Sequence, residues 1–294
     1  MAEKEPPVAL SRRRFLLWLL GAAAGLGGCC AGGAAYPWWI EPGWLQVTRR
    51  RVDVPGLPAS LDGLTIAHLS DLHHGTHVPI ERIGDAVRAV NRLQPDIVAL
   101  TGDFVSGSAS FAAPCAEQLR ALQAASGVFA CLGNHDHWTD AQVVARALGD
   151  AGIGVLRNTA QALAGAAEGL WIAGVDDVME GQQDLARALA PVPEGAPVLL
   201  LAHEPDFADQ VSQHAAPVVL QLSGHSHGGQ VRLPFVGPLI LPRHASKYPA
   251  GLYRVGDLAL YTNRGLGVIE PAVRFNCRPE VTLLSLRSAL SFAI

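Results

Sequence analysis

Lysine is almost absent from this chain: Lys4 and Lys247 are the only two among 294 residues, a scarcity that reflects codon usage rather than function. Strong basic charge is missing too. Residues 1–35 hold four basic and two acidic side chains, so a formal net charge of -4 leaves -6 on the remainder, where no basic run exceeds Arg49-Arg50-Arg51. An acidic body without a basic stripe argues against non-specific nucleic-acid binding. The five cysteines lack regular spacing and form no Cys-x-x-Cys pair, which excludes a disulfide framework and makes thiolate metal sites a poor expectation. Cys115, Cys131 and Cys277 read as buried, small apolar side chains. No internal repeat or long linker interrupts the body. With 49% apolar residues and only 16% charged ones, residues 36–294 are read as one domain with a sizeable core.

Charge is also absent from Phe15 to Ile40, just after Ser11-Arg12-Arg13-Arg14. A basic flank followed by an apolar stretch is the layout of an export signal or a membrane anchor, and Ser11-Arg12-Arg13-Arg14-Phe15-Leu16 resembles the twin-arginine export motif. Residues 1–35 are therefore expected to be a signal or anchor. Gly33-Ala34-Ala35 could be cleaved, Leu26-Gly27-Gly28-Cys29 resembles a lipoprotein box, and retention would leave a membrane tether. Each outcome places the body outside the cytoplasm of a bacterium, in the periplasm or on the membrane. Tyr36-Pro37-Trp38-Trp39-Ile40-Glu41-Pro42-Gly43-Trp44 suits a membrane–water interface, or covers an edge of the domain.

The body alternates apolar, β-rich runs with helical periodicity. Strands are expected at Leu64–Leu69, Asp96–Leu100, Val128–Leu132, Gly154–Leu156, Leu170–Val175, Val198–Ala202 and Val218–Leu222. Helices are expected near 79–93, 113–124, from Thr139 or Asp140 to Gly149, near 182–190 and near 205–213. A hairpin across Gly256-Asp257 and a last strand at Val281–Leu286 close the chain. Asp71, Asp103, Asn134, His203 and His225 all stand at or just beyond the C-terminal end of an apolar run. The first three are separated by the length of one strand–helix–strand unit. Parallel strands joined by right-handed crossovers end on one edge of a sheet, where open α/β sheets bind ligands. The segments Asp71-Leu72-His73, Gly102-Asp103, Gly133-Asn134-His135-Asp136, His203 and Gly224-His225-Ser226-His227 thus bring together oxygen and imidazole donors enough for two metal ions sharing a carboxylate.

Those five ordered motifs closely resemble the calcineurin-like metallophosphoesterase family. Glu41-Pro42, Gly228-Gly229-Gln230, Asn263-Arg264-Gly265-Leu266-Gly267 and Cys277-Arg278-Pro279-Glu280 look like its exported or membrane-associated bacterial subgroup. The resemblance implies an α/β fold, a two-layer β-sandwich flanked by helices (four layers, αββα). It implies a first metal held by Asp71, His73, Asp103 and His227, and a second by Asp103, Asn134, His203 and His225. Mixed nitrogen and oxygen donors suit Mn, Fe or Zn better than Ca.

The implied reaction is hydrolysis of a phosphodiester or pyrophosphate bond by in-line attack of a metal-bridging hydroxide. His135, next to a ligand but not one itself, would protonate the leaving group, with Asp136 orienting its ring. Arg264 is a candidate for contact with the substrate phosphate. The expected substrate is a cell-envelope or lipid-linked phosphoester. A hydrolase of UDP-2,3-diacylglucosamine in lipid A synthesis is an alternative, and a non-catalytic metal-binding scaffold is the rival from another class. The remaining histidines, His68, His74, His77, His137, His214 and His244, are expected to play no ligand role.

Overall fold

Two six-stranded sheets lie face to face in the computed structural model, which describes residues 35–214 and 218–289. The chain runs through β1 (Gln46–Pro55), β2 (Thr65–Leu69), β3 (Ile97–Thr101), β4 (Val128–Cys131) and β5 (Gly154–Val155) in the first sheet. It then forms β6 (Thr159–Ala162), β7 (Trp171–Gly174), β8 (Val198–Leu201) and β9 (Val218–Ser223) in the second. A small pair, β10 (Arg232–Leu233) and β11 (Gly237–Pro238), precedes β12 (Gly251–Val255) and β13 (Leu258–Thr262), which complete the second sheet; β14 (Glu280–Ala289) returns to the first. The spatial orders are β1-β14-β2-β3-β4-β5 and β12-β13-β9-β8-β7-β6. Strands β2 to β5 are mutually parallel, as are β7, β8, β9 and β13.

Among the described residues six α-helices complete the body: α1 (Ile80–Leu93), α2 (Ala112–Leu119), α3 (Asn134–Thr139), α4 (Ala141–Asp150), α5 (Leu185–Leu189) and α6 (Ala208–Val211). Three apolar cores account for the layering. Ile66, Ile97 and Phe129 of the first sheet meet Leu199, Leu201 and Leu220 of the second in the middle core. Ile83, Val87 and Val90 of α1 join Leu119 and Val144 against the outer face of the first sheet. Leu185, Leu189 and Val211 cover the outer face of the second. Sheets and helices with one apolar face each bury it in this way, and the result is the helix-flanked sandwich that the resemblance implied.

Most expected elements are present within a residue or two. The helix expected near 113–124 ends at Leu119, because the Asn91 side chain donates to the Ala121 carbonyl (2.7 Å) and accepts from the Gln123 N–H (3.0 Å). Strand β1 was not anticipated. It is an edge strand whose three arginines face solvent and in which only Val52 and Val54 are buried, so it carries little apolar signal. Helix α4 starts at the expected Asp140, whose carboxylate caps the Gln142 and Val143 N–H groups. The expected signal or anchor falls on residues that, up to 34, lie outside those described. Among the described residues no helix is long and apolar enough to cross a membrane.

Candidate metal centre

The C-terminal ends of five parallel strands meet along one edge of the sandwich. Strand β2 leads to Asp71 and His73, β3 to Asp103, β4 to Asn134, β8 to His203, and β9 to His225 and His227. Every one of the seven is buried. Asp71, His73, Asp103 and His227 form one cluster of ligand atoms and Asp103, His203 and His225 a second, each within 4.8 Å, so Asp103 belongs to both. The Asn134 Oδ1, just past the end of β4, is buried without a hydrogen-bond partner, an orphaned acceptor of the kind a cation would satisfy.

The backbone bends sharply to bring them together. Asp71, His73, Asp103, His225 and His227 all have positive φ, between 48° and 64°. A non-glycine residue held there costs on the order of 1–3 kcal/mol, and such strain clusters at functional sites. Two glycines permit the approach: a Cβ on Gly133 would collide with Asp103, and one on Gly224 with Ser70 and Asp71.

Hydrogen bonds behind the imidazoles fix which nitrogen faces inward. The His203 Nδ1–H donates to the Thr101 carbonyl (2.6 Å) and the His225 Nε2–H to the Arg243 carbonyl (2.9 Å). Their other nitrogens, His203 Nε2 and His225 Nδ1, then face each other 3.2 Å apart. His73 is held at Nδ1 by the Ser106 hydroxyl (2.6 Å), and its Nε2 lies 3.0 Å from the Nε2 of His227. The Asp103 Oδ2 stands 3.1 Å from His203 Nε2 and 3.4 Å from His73 Nε2. Acceptors packed against acceptors in a buried site need positive charge between them. The donor set therefore fits two cations.

Protons respond to the same crowding. Burial drives the His73 pKa down to about 3 and that of His225 to about 4, so both rings stay neutral and free to ligate. Burial pushes Asp71 up to about 7. Burial also opposes charge on His203, yet the adjacent Asp103 carboxylate overrides it and raises that pKa well above its ordinary value. Asp103 in turn is held well below the usual carboxylate range.

His135 lies outside both clusters. Its backbone N–H donates to Asp103 Oδ1 (2.8 Å). Its half-buried ring packs edge-on between His73 and Trp138, both at 4.6 Å between centroids. The ring borders a cavity of about 590 Å³ that also reaches His73, Ser106 and Glu270.

Asp136 has different partners from those expected. Its oxygens accept the backbone N–H groups of Asp103 (2.9 Å), Gly133 (3.0 Å), Phe104 (2.8 Å) and Val105 (3.3 Å), and the carboxyl is fully buried. It clamps the turn that carries Asp103 rather than the His135 ring. Arg264 also differs from the expectation. Its Nε and Nη2 hold the Glu280 carboxylate (3.2 and 3.0 Å) and Nη2 reaches Gln46 Oε1, engaging the guanidinium within the fold.

Several supporting residues carry no sequence signal of their own. Ser106 is one, and Arg274 is another. The Arg274 guanidinium is fully buried and donates to the carbonyls of Arg264, Gly265, Gly267 and Cys277. The loop so braced sends the Leu266 and Gly267 N–H groups to the carbonyls of Ser70 and Asp71. Buried Glu41 accepts the N–H groups of Asn276 and Cys277, which gives Glu41-Pro42 a structural purpose. Among the other histidines, His68 bonds Thr101 Oγ1, His74 the Val78 carbonyl, His77 Glu270 and His137 Asp176.

A two-sheet α/β sandwich whose strand ends gather paired cation sites around one shared aspartate defines a dinuclear metal-dependent hydrolase. The chain belongs to the calcineurin-like phosphoesterase family, whose pattern matches residues 64–229. It is 36% identical to the uncharacterized metallophosphoesterase YkuE of Bacillus subtilis, over 95% of this chain and 98% of that one. It is 35% identical to the phosphodiesterase YaeI of Escherichia coli, over 94% and 99%. It is 30% identical to the UDP-2,3-diacylglucosamine pyrophosphatase LpxG of Chlamydia trachomatis, over 83% and 90%. The chain is a metal-dependent phosphoesterase.

Proposed function

We propose that this enzyme hydrolyses a phosphodiester or pyrophosphate bond in a cell-envelope or lipid-linked substrate. The observation that carries the reading is the pair of buried ligand clusters sharing Asp103, with the His135 ring beside them at the head of an open cavity. Asp71, His73, Asp103 and His227 would hold one divalent ion; Asp103, Asn134, His203 and His225 the other, with Mn, Fe or Zn suited to the donors. When bound, the pair supplies Lewis acidity to the phosphoryl oxygens and activates water for attack on phosphorus.

The protein's own part is positioning and proton transfer. Ser106, the Thr101 carbonyl and the Arg243 carbonyl lock the imidazoles, so their inward nitrogens are aimed before any substrate arrives. Asp136 fixes the turn bearing Asp103. His135, kept off the cations, donates a proton to the leaving-group oxygen. The cavity next to it shares Thr76, His77, Val268 and Glu270 with a second one of about 800 Å³ lined by Trp38 and Trp39, which gives room for a substrate with an extended apolar portion. The phosphodiesterase YaeI supports a diester, and LpxG supports the second reading, a UDP-2,3-diacylglucosamine pyrophosphatase. Export by the twin-arginine route, suggested by Ser11-Arg12-Arg13-Arg14-Phe15-Leu16, favours the first, because the nucleotide-linked precursor is cytoplasmic.

The test is turnover of a chromogenic phosphodiester by Mn²⁺-loaded protein. His135→Ala is expected to lower it by about 10²–10⁴-fold with metal content unchanged. Metal-loaded wild-type protein inert toward monoesters, diesters and pyrophosphates alike would make the chain a non-catalytic scaffold.

A further inference from the structure

One strongly apolar surface plays no part in the metal site yet is fastened to it. The β10–β11 hairpin and its flank, residues 231–242, read Val-Arg-Leu-Pro-Phe-Val-Gly-Pro-Leu-Ile-Leu-Pro. Phe235 is fully exposed, Ile240 is 81% and Val236 70% exposed, and Leu233 and Leu239 are exposed beside them. An exposed apolar cluster on this scale marks an interaction site. Both legs of the hairpin are tied to the loop that bears His225 and His227. On the way in, the Arg232 guanidinium donates to the Gly228 carbonyl (2.8 Å). On the way out, the Arg243 carbonyl accepts the His225 Nε2–H.

Three features select what covers it. First, the base of the hairpin touches the start of the described chain. The Arg232 N–H bonds the Phe275 carbonyl (2.9 Å), the Phe275 ring packs edge-on against Tyr36, and the Arg274 N–H bonds the Pro37 carbonyl (2.9 Å). Immediately before Tyr36 runs the uncharged, apolar stretch that starts at Phe15. Second, Trp38, Trp39 and Trp44, which follow Tyr36 closely in the chain, are exposed as well, and tryptophan concentrates at membrane–water boundaries. Third, Pro234, Pro238 and Pro242 lack N–H groups and the paired strands are two residues long, so the hairpin offers no edge for a partner's strand.

We propose that the hairpin 231–242 is a membrane-inserting wedge that seats the metal-bearing edge on a lipid surface. Phe235, Val236, Leu239 and Ile240 enter the acyl region, and the Trp38–Trp39 rim lies at headgroup level. The phosphoester then reaches His135 from the bilayer, along the cavities that run from Trp38 to His73. Because the body is acidic, insertion is driven by apolar burial rather than by attraction to anionic headgroups, and it is insensitive to salt. The wedge deepens the proposed function by making the substrate membrane-resident, and it rests on that reading for its catalytic meaning.

The test is photolabelling of the full chain reconstituted in phosphatidylcholine vesicles carrying a trace of diazirine-acyl phosphatidylcholine, with labelled peptides mapped by mass spectrometry. Label is expected in 231–243 as well as in the apolar N-terminal stretch. Phe235→Asp with Ile240→Asp is expected to lower hairpin labelling by at least about tenfold, while turnover of a soluble chromogenic diester is unchanged. Label confined to the N-terminal stretch, or a hairpin cross-linked only to another protein or a second copy, overturns the proposal. Labelled hairpin without turnover of any phosphoester leaves the wedge standing and defeats the catalytic reading instead. The labelling of the wild-type chain decides the matter even where the double variant folds poorly.

Discussion

Replacing Asp136 by asparagine removes half of a four-bond clamp while leaving its shape intact. One carboxylate oxygen accepts the N–H groups of Asp103 and Gly133, the other those of Phe104 and Val105. An amide keeps one acceptor and turns the other into a donor aimed at two buried N–H groups. Burial pushes the Asp136 carboxyl up to about 7, so above that pH the acceptor is charged, its bonds contribute about 1.5–3 kcal/mol each, and losing two costs about 3–6 kcal/mol. That is a large share of the roughly 5–15 kcal/mol that holds a folded protein together. At roughly 2–4 °C per kcal/mol for a body of this size, the variant should melt about 6–24 °C lower. Metal content should fall as well, because the loosened turn carries Asp103. Thermal unfolding and metal analysis of the same preparation check both. An Asp136→Asn protein that melts like wild type and keeps both metals, altered only in the pH profile of turnover, would refute the clamp and return Asp136 to a role on His135.

Asp103→Ala is expected to abolish binding of both ions together, since both clusters use it; metal stoichiometry by mass spectrometry reads the result. Ser106→Ala frees the Nδ1 of His73 and should weaken metal binding by about 10–100-fold, measured by competition titration. Chelation should lower the melting temperature. The stabilisation that returns with free metal should follow mass action, about 1.4 kcal/mol per tenfold above the dissociation constant. His137, whose pKa is raised by its bond to Asp176, contributes stability that is complete below its ordinary value of 6.5 and is lost as pH rises through the raised one. The melting temperatures of wild type and His137→Ala should therefore differ most in mildly acidic buffer and converge as the pH becomes alkaline.

The clustering of the donor residues was legible because strand ends and potential ligand residues coincide in the sequence. Val98-Ala99-Leu100 before Gly102-Asp103, and Val219-Leu220-Gln221-Leu222 before Gly224-His225, mark both a strand and the edge where it stops. The supporting contacts were not legible, because they come from backbone atoms or distant side chains. Nothing around Thr101 or Arg243 announces that its carbonyl will hold an imidazole. Asp136 sits next to His135 in sequence, which suggested a pair. A short helix turn instead swings its carboxylate back to Gly133 and across to Asp103. Arg264 reads as a free cation until β14 brings Glu280 beside it, a pairing that depends on tertiary structure alone. The hairpin at 231–242 has too few paired residues to show a strand period in the sequence.

The Glu41 carboxylate has a consequence for any attempt to work with the body alone. It is the sole side-chain acceptor described for the Asn276 and Cys277 amides, and those residues sit in the stretch where Arg274 braces the loop under Asp71. Trimming the chain at the first regular strand, the natural place for a cloning boundary, would delete this acceptor and leave two amides stranded near the catalytic edge. Versions that begin after Glu41 should express as metal-poor, thermally fragile protein.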